Sequence, residues 1–170
     1  GDILLCGADK QQIKVSAVTN ATSLTLQTKY VGNTIAAQTS VTRRWEYHDN
    51  VPNAPGTSVS VERNGGSNDE LHVVIVDADG TWTGAAGTVL EKYAFVSKAS
   101  DAKNDDGSPN YYVTKIFNLS KYIYVANHWG HYSGDTWGVS AVNTDFGSST
   151  PNYTATLGTG TFVSAVTSAY

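Results

Sequence analysis

The stretch DELHVVIVDADGTWTGAAGTVLEKYAFVSKASDAKNDDGSPNYYVTKIFNLSKYIYVAN, Asp69 to Asn127, decides the fold. Leu71 to Val76 form a short, nearly continuous apolar run rich in β-branched residues. It reads as a strand covered on both faces or set in a sheet centre. Asp77-Ala78-Asp79-Gly80 follows with turn chemistry, since Asp tolerates the left-handed region and Gly enters it without steric cost. Thr88 to Val96 reads as the partner strand, with Val89, Tyr93 and Phe95 on one side and Leu90, Ala94 and Val96 on the other. A polar loop, Ser100 to Ser108, leads to Ser108-Pro109, a helix-start signal in which Ser accepts an orphan N–H and Pro occupies the first turn. Tyr112, Val113, Ile116 and Phe117 recur at helical spacing as one apolar stripe. Asn118 to Ser120 ends the helix, and Lys121 to Ala126 returns to strand. The expected class is α+β, mostly β. Its centre is a β-β-α-β unit with one short helix near 109–119 packed on a mixed sheet.

Working outward, Gln12 to Val18 and Ser23 to Thr28 alternate around Thr19-Asn20-Ala21-Thr22 and predict a β-hairpin, with Ile13, Val15, Ala17, Leu24 and Leu26 facing one way. Thr34 to Thr42 is a weak third strand. Arg43-Arg44-Trp45-Glu46-Tyr47 is either a partner surface or a solvated strand end with Arg packed on Trp. Asp49 to Gly56 is a loop, Thr57 to Glu62 alternates as a short strand, and Arg63 to Asp69 reads as a flexible polar link. Beyond Asn127, a clear strand is expected at Thr136 to Val142 and further ones at Tyr153 to Leu157 and Thr161 to Val166. Residues 1–40 are a hairpin-rich segment, part of the same domain or of a neighbouring one, and 41–170 form the main domain.

At 170 residues the chain can bury one good core. A net charge of −4 argues against sequence-independent nucleic-acid binding, which needs a basic face. The single cysteine, Cys6, excludes an internal disulfide and reads as a small buried hydrophobe. No apolar run is long enough to span a bilayer, so no membrane insertion is expected. The chain opens directly in strand-like sequence without Met, as a piece of a longer protein would.

Motifs for chemistry are sparse. Asp101 to Gly107 fails as a calcium loop because alignment on Gly107 puts Ala102 at the first ligand position and Val113 at the bidentate one. Asp77 and Asp79 have the residue types for paired-carboxylate catalysis, but beside Gly80 they read more simply as hairpin-turn residues. His128 and His131 have usable metal spacing but no cysteine pair to complete a zinc site, and His48 and His72 are the other histidines. Asn20, Asn118 and Asn152 head glycosylation triplets that matter only in a secretory pathway. There is no nucleophile elbow, P-loop or dinucleotide fingerprint. Trp129, Tyr132 and Trp137 could form a sugar-stacking platform, although aromatics on such a domain more often close a core or a subunit contact. No catalytic, cofactor-binding or metal residue is assigned.

One resemblance goes further. Val41-Thr42-Arg43-Arg44-Trp45-Glu46-Tyr47, Ala54-Pro55-Gly56-Thr57-Ser58 and, above all, Asp69 to Gly80 resemble the tail sheath proteins of contractile-tailed, T-even-like bacteriophages. Gly87 to Glu91, Phe95 to Lys103, Asp106-Gly107-Ser108 and Asn110-Tyr111-Tyr112 continue the collinear match. It covers about half the chain, 41–125. The resemblance implies an internal fragment of a structural, non-enzymatic subunit without cofactor. Such subunits stack as hexameric rings around a tail tube, are held extended by the baseplate, and contract to drive the tube through the host envelope. The implied location is the virion tail, assembled in the bacterial host cytoplasm. The loops Asp49–Gly56, Arg63–Asp69, Ser100–Ser108 and His128–Asp135 would then carry the contacts, as heterologous joints in a helical array. The rival reading is a β-rich carbohydrate- or receptor-binding module using the C-terminal aromatics.

Overall fold

The computed structural model describes residues 2–7, 10–32, 41–125, 136–147 and 157. The expectations for Thr34 to Ser40, for His128 to Asp135 and for strands at 153–156 and 161–166 lie outside them. The fold is α+β and mostly β, built from two antiparallel sheets and short helices.

The first sheet has the order β3-β2-β1-β4, with β1 Ile3–Cys6, β2 Gln11–Asn20, β3 Ser23–Leu26 and β4 Thr42–Arg44. The expected hairpin is β2–β3, with Asn20 Oδ1 accepting the Thr22 N–H at 2.9 Å in the turn. Leu5, Cys6, Ile13 and Val15 are buried, so the cysteine sits where a small hydrophobe belongs. The apolar face does not run the length of the hairpin. Register shifts at Val15/Ala17 and Val18/Asn20 turn the tip away, leaving Val18 and Leu24 exposed.

The second sheet pairs β5 (Glu70–Asp77) with β6 (Thr88–Ser97). Its ladder is antiparallel; among the described residues, parallel pairing is confined to single bridges, such as Ser97 to Tyr111. The β5 run is not covered on both faces: Leu71, Val73, Ile75 and Asp77 are buried, while His72, Val74 and Val76 are only half-buried. On β6 the simple two-sided alternation fails as well. Leu71 pairs with Val96 but Val73 with Tyr93, so two residues of β6 oppose His72 alone. Phe95 takes φ +53 in this bulge. The shift brings Tyr93 and Val96 into one core instead of opposite faces. The Phe95 N–H, which has left the ladder, donates to Nδ1 of His72 at 3.0 Å; Nε2 of the same ring then carries the proton it donates to the Asn53 carbonyl at 2.9 Å. His72 is a structural acceptor for a bulged backbone, and Trp45 stacks on its outer face at 6.4 Å.

Two short helices complete the unit. Helix α1 (Val59–Glu62) stands where a strand was expected from the alternation of Val59 and Val61. Ser58 caps it, its hydroxyl accepting the Val61 N–H, and that local bond outweighs the β pattern. Helix α2 (Tyr112–Leu119) begins three residues after Pro109 rather than at it. Both the N–H and the hydroxyl of Ser108 donate to Asp106 Oδ1, at 2.9 and 2.6 Å, so Ser108 closes a turn instead of capping a helix. Pro109 lies in a bridge to Lys103, and Asn110 pairs with Ser97 and Phe95. Tyr112 and Ile116 are fully buried against Leu71, Val73, Ile75, Tyr93, Val96 and Trp137. Phe117, counted in the same stripe, is 64% exposed.

Two further strand expectations fail because side chains, and at Gly138 a distant carbonyl, take the backbone groups a ladder would use. After α2, Lys121 donates to Glu91 Oε1 at 2.9 Å, and Tyr122 and Ile123 donate to the Ser120 hydroxyl, so 121–125 is irregular. At 136–142 there are turns: Ala141 donates to Asp101 Oδ1 at 2.8 Å and Gly138 to the Lys98 carbonyl at 2.8 Å. Ala141 and Phe146 form a second small core with Val61, Ala99 and Ala102. Gly66 is fixed by this packing, because an added Cβ would sit 2.5 Å from the Ala141 carbonyl and 2.9 Å from that of Thr144.

The different fates of Ile116 and Phe117 give a direct test by chemical denaturation. Ile116→Ala should lower the unfolding free energy by about 2–5 kcal/mol, whereas Phe117→Ala should change it by less than about 0.5 kcal/mol. Equal losses would mean that α2 packs through a different face.

Candidate interaction surfaces

The most concentrated chemistry lies inside the protein. Asp69, immediately before β5, is fully buried. Its carboxylate accepts the Ser58 N–H at 2.8 Å, the Ser58 hydroxyl at 2.8 Å and the Ser97 hydroxyl at 2.5 Å. The adjacent Lys98 is 2% exposed. Its ammonium donates to the Asn68 carbonyl at 2.9 Å, approaches those of Gly147 and Phe146 at 3.3 and 3.4 Å, and lies 5.4 Å from the Trp137 ring centre. A hydroxyl, a carboxylate and an ammonium group together could do chemistry, but this set is sealed from any substrate. It is a polar hub that ties elements together. The Arg63–Asp69 segment is accordingly no flexible link: Ser67 exchanges backbone bonds with Thr144 and Phe146, and Asn68 donates to the Thr57 hydroxyl at 2.8 Å.

Asp77 and Asp79 are turn residues, as their setting beside Gly80 suggested. Asp77 is buried at the end of β5, and its Oδ2 accepts the N–H groups of Trp82 and Thr83 and the Thr83 hydroxyl, at 3.0, 2.8 and 2.9 Å. Asp79 is exposed, and the Thr81 N–H at 3.0 Å holds its carboxyl below the usual range. His48 bonds the Trp45 carbonyl and contacts Asp49 and Arg44. His128, His131, Trp129 and Tyr132 lie outside the described residues. Among those described, no three His, Cys, Asp or Glu side chains gather as a metal-binding group.

Trp137 belongs to the core, edge-to-face with Tyr112 at 5.7 Å and 6% exposed, so it cannot serve a sugar platform. Arg43 pairs with Asp2 instead of lying on Trp45, and Lys14 pairs with Glu46. Surface ion pairs of this kind contribute little.

Two outward-facing features remain. The first is an aromatic ridge at one end of the β5–β6 hairpin. Trp82, at the turn and 72% exposed, meets Tyr122 edge-to-face at 5.4 Å, while Phe117 and Tyr124, the latter 79% exposed, lie 6.0 Å apart. Leu119 is exposed between them in sequence. Exposed aromatic groups clustered in this way are candidates for an interaction site. The sequence carried no usable signal for Trp82, because Trp137 stands in a similar setting of Gly, Thr and Asp and is core. The second feature is a recess of 260 Å³ between α1 and the 103–107 loop, lined by Ser60, Arg63, Asn64, Lys103, Asn104 and Asp105. It brings together two of the loops named as contact candidates, both held firmly from behind. Lys103 N–H donates to the Ser60 hydroxyl at 3.2 Å, and Asp101 accepts from the Ser140 hydroxyl at 2.6 Å.

No protein-family model, no curated protein and no solved structure matches the chain. No helix among the described residues is long and apolar enough to cross a membrane.

The Asp101 clamp makes a pH prediction. Burial raises its carboxyl, but the Ser140 hydroxyl and the Ala141 N–H outweigh this and hold it below the ordinary aspartate value. The folded form thus takes up a proton less readily than the unfolded one. The clamp is complete above about pH 3.9 and is lost only as pH falls through the lower folded value. The Ala141 amide chemical shift should titrate with a midpoint below that reference; a midpoint at or above it would contradict the clamp.

Proposed function

We propose that this chain is part of a structural subunit of a contractile phage tail sheath, working without enzymatic activity or cofactor. Its partners would be other sheath subunits in stacked hexameric rings, the tail tube and the baseplate, and its place the virion tail. The observation that carries the reading is the aromatic ridge of Trp82, Phe117, Leu119, Tyr122 and Tyr124, held on a cross-tied scaffold. It lies within 41–125, the span over which the chain resembles sheath proteins. A sheath subunit must move nearly as a rigid body between two packings, and a small gain per interface, summed over many copies, supplies the work. Loops pinned by buried carboxylates and a hairpin end rich in exposed aromatics suit that task, the ridge being seated against a neighbouring copy. The glycan-binding alternative draws no support from Trp137, whose ring is buried.

The test is electron microscopy of the full gene product containing this stretch, with and without its tube protein. Ordered helical tubes that narrow around a tube core are expected. Trp82→Ser combined with Tyr124→Ser should abolish them while leaving the thermal midpoint of the isolated subunit within a few degrees, as surface changes do. Monodisperse particles from the parent protein under both conditions would overturn the proposal.

A further inference from the structure

The outer half of the β2–β3 hairpin belongs to no core. Every residue from Ser16 to Thr25 is exposed, and since neighbours along a strand point to opposite sides, both faces of this stretch are bare. On the inner half of β2 the side chains of Ile13 and Val15 are buried. Farther out, Val18 and Leu24, paired across the hairpin, are 72% and 44% exposed. The hairpin is therefore an arm. Two register shifts twist it away from the body, and Asn20 Oδ1 fixes its tip by accepting the N–H and the hydroxyl of Thr22, at 2.9 and 3.0 Å.

Two strands with no covered face are marginal by themselves. This arm also lacks the usual guards of a sheet edge. Strand β3 ends the first sheet, so one row of its backbone N–H and C=O groups faces away from β2. Val15 to Thr28 contains no charged residue and no proline that would keep another chain off. A surface of this chemistry suits an uncharged, apolar partner, because a charged one would lose water without gaining a counter-charge. The aromatic ridge is such a partner: Trp82, Phe117, Leu119, Tyr122 and Tyr124 are uncharged and exposed. Within one chain the two surfaces do not cover each other, since Val18 and Trp82 are each 72% exposed.

We propose that the arm of one copy docks on the ridge of the next, with Val18 and Leu24 laid against its aromatic rings. Each copy carries one arm and one ridge, so the joint is heterologous and repeats head to tail. A hairpin tip on a single ridge covers less than the roughly 1,000 Å² of a stable interface. One joint is therefore weak, and association grows with concentration. This joint presupposes that the ridge is a subunit contact, and it names what the ridge receives.

Complementation between two defective variants tests it, with sedimentation velocity on the 170-residue chain as the readout. The parent chain should show a sedimentation coefficient that climbs with concentration. Leu24→Asp spoils the arm and Trp82→Asp spoils the ridge. Each should stay monomeric where the parent associates, while melting within a few degrees of it, as surface changes do. Mixed one to one, the two should form a dimer and go no further, because one intact arm and one intact ridge make a single joint. A mixture that stays monomeric would overturn the proposal, as would a parent that is monomeric at every concentration. If Trp82→Asp still dimerises by itself, the arm pairs with a second arm and the ridge is not its partner. The outcome is separable from the sheath reading: a mixture dimer from a parent protein that builds no tubes would sink that reading and leave the joint standing, and tubes without a mixture dimer would do the reverse.

Discussion

A single buried carboxylate holds the central unit together. Asp69 stands at the start of β5 and reaches the cap of α1 through Ser58 and the end of β6 through Ser97. Its own carbonyl accepts the Lys98 N–H at 2.8 Å, and Lys98 in turn reaches the 146–147 backbone and covers Trp137. Apart from Gly147, these partners are nearly or wholly removed from water. Any one of them left without its bond would cost about 1–3 kcal/mol, so the network is cooperative: four segments distant in sequence are fixed by satisfying one another's polar groups. The apolar side is modest by comparison, one cluster around Tyr112 and Ile116 and a smaller one of Val61, three alanines and Phe146.

This arrangement explains which parts of the fold were legible in the sequence. Strands β5 and β6, the turn between them, the N-terminal hairpin and the existence of a helix after residue 109 all follow from hydrophobic period and turn residues. Those are local signals. The errors fall where a polar group, near or far in sequence, captures the backbone. Ser58 turned an alternating segment into α1 because it could cap it, and Asp69 holds that cap in place. Asp101 and Lys98 folded 136–142 into turns, and Glu91 with Ser120 kept 121–125 out of a ladder. The bulge at Phe95 was equally invisible, since it requires His72 opposite to receive the displaced N–H. The Arg63–Asp69 segment read as a link because its glycines and polar residues carry no period, yet those features let it pack backbone to backbone against 141–146.

The candidate surfaces were legible in a different proportion. The loops named as contacts include both walls of the recess at Arg63 and Lys103, but composition alone cannot say that they meet. Trp137 looked like a surface aromatic among Gly, Ser and Asp and is core. Phe117 looked like core from its spacing and is surface. Helical period places a residue on a face; it does not say how wide the buried face is, and on this two-stranded ladder α2 buries Tyr112 and Ile116 but not Phe117. What emerges is a rigid scaffold presenting an aromatic ridge and a polar recess, and the proposed work of the molecule is done at such surfaces.

The measurement that bears most directly on this account is native-state hydrogen exchange of Asp69→Ala against the parent chain. If Asp69 is the shared tie, the amides of Glu62, Ala141, Phe146 and Ser97 should lose protection together, and the denaturation midpoint should fall. Loss confined to Val59–Glu62, with Ala141 and Phe146 as protected as before, would contradict the account and reduce Asp69 to an anchor for one helix cap.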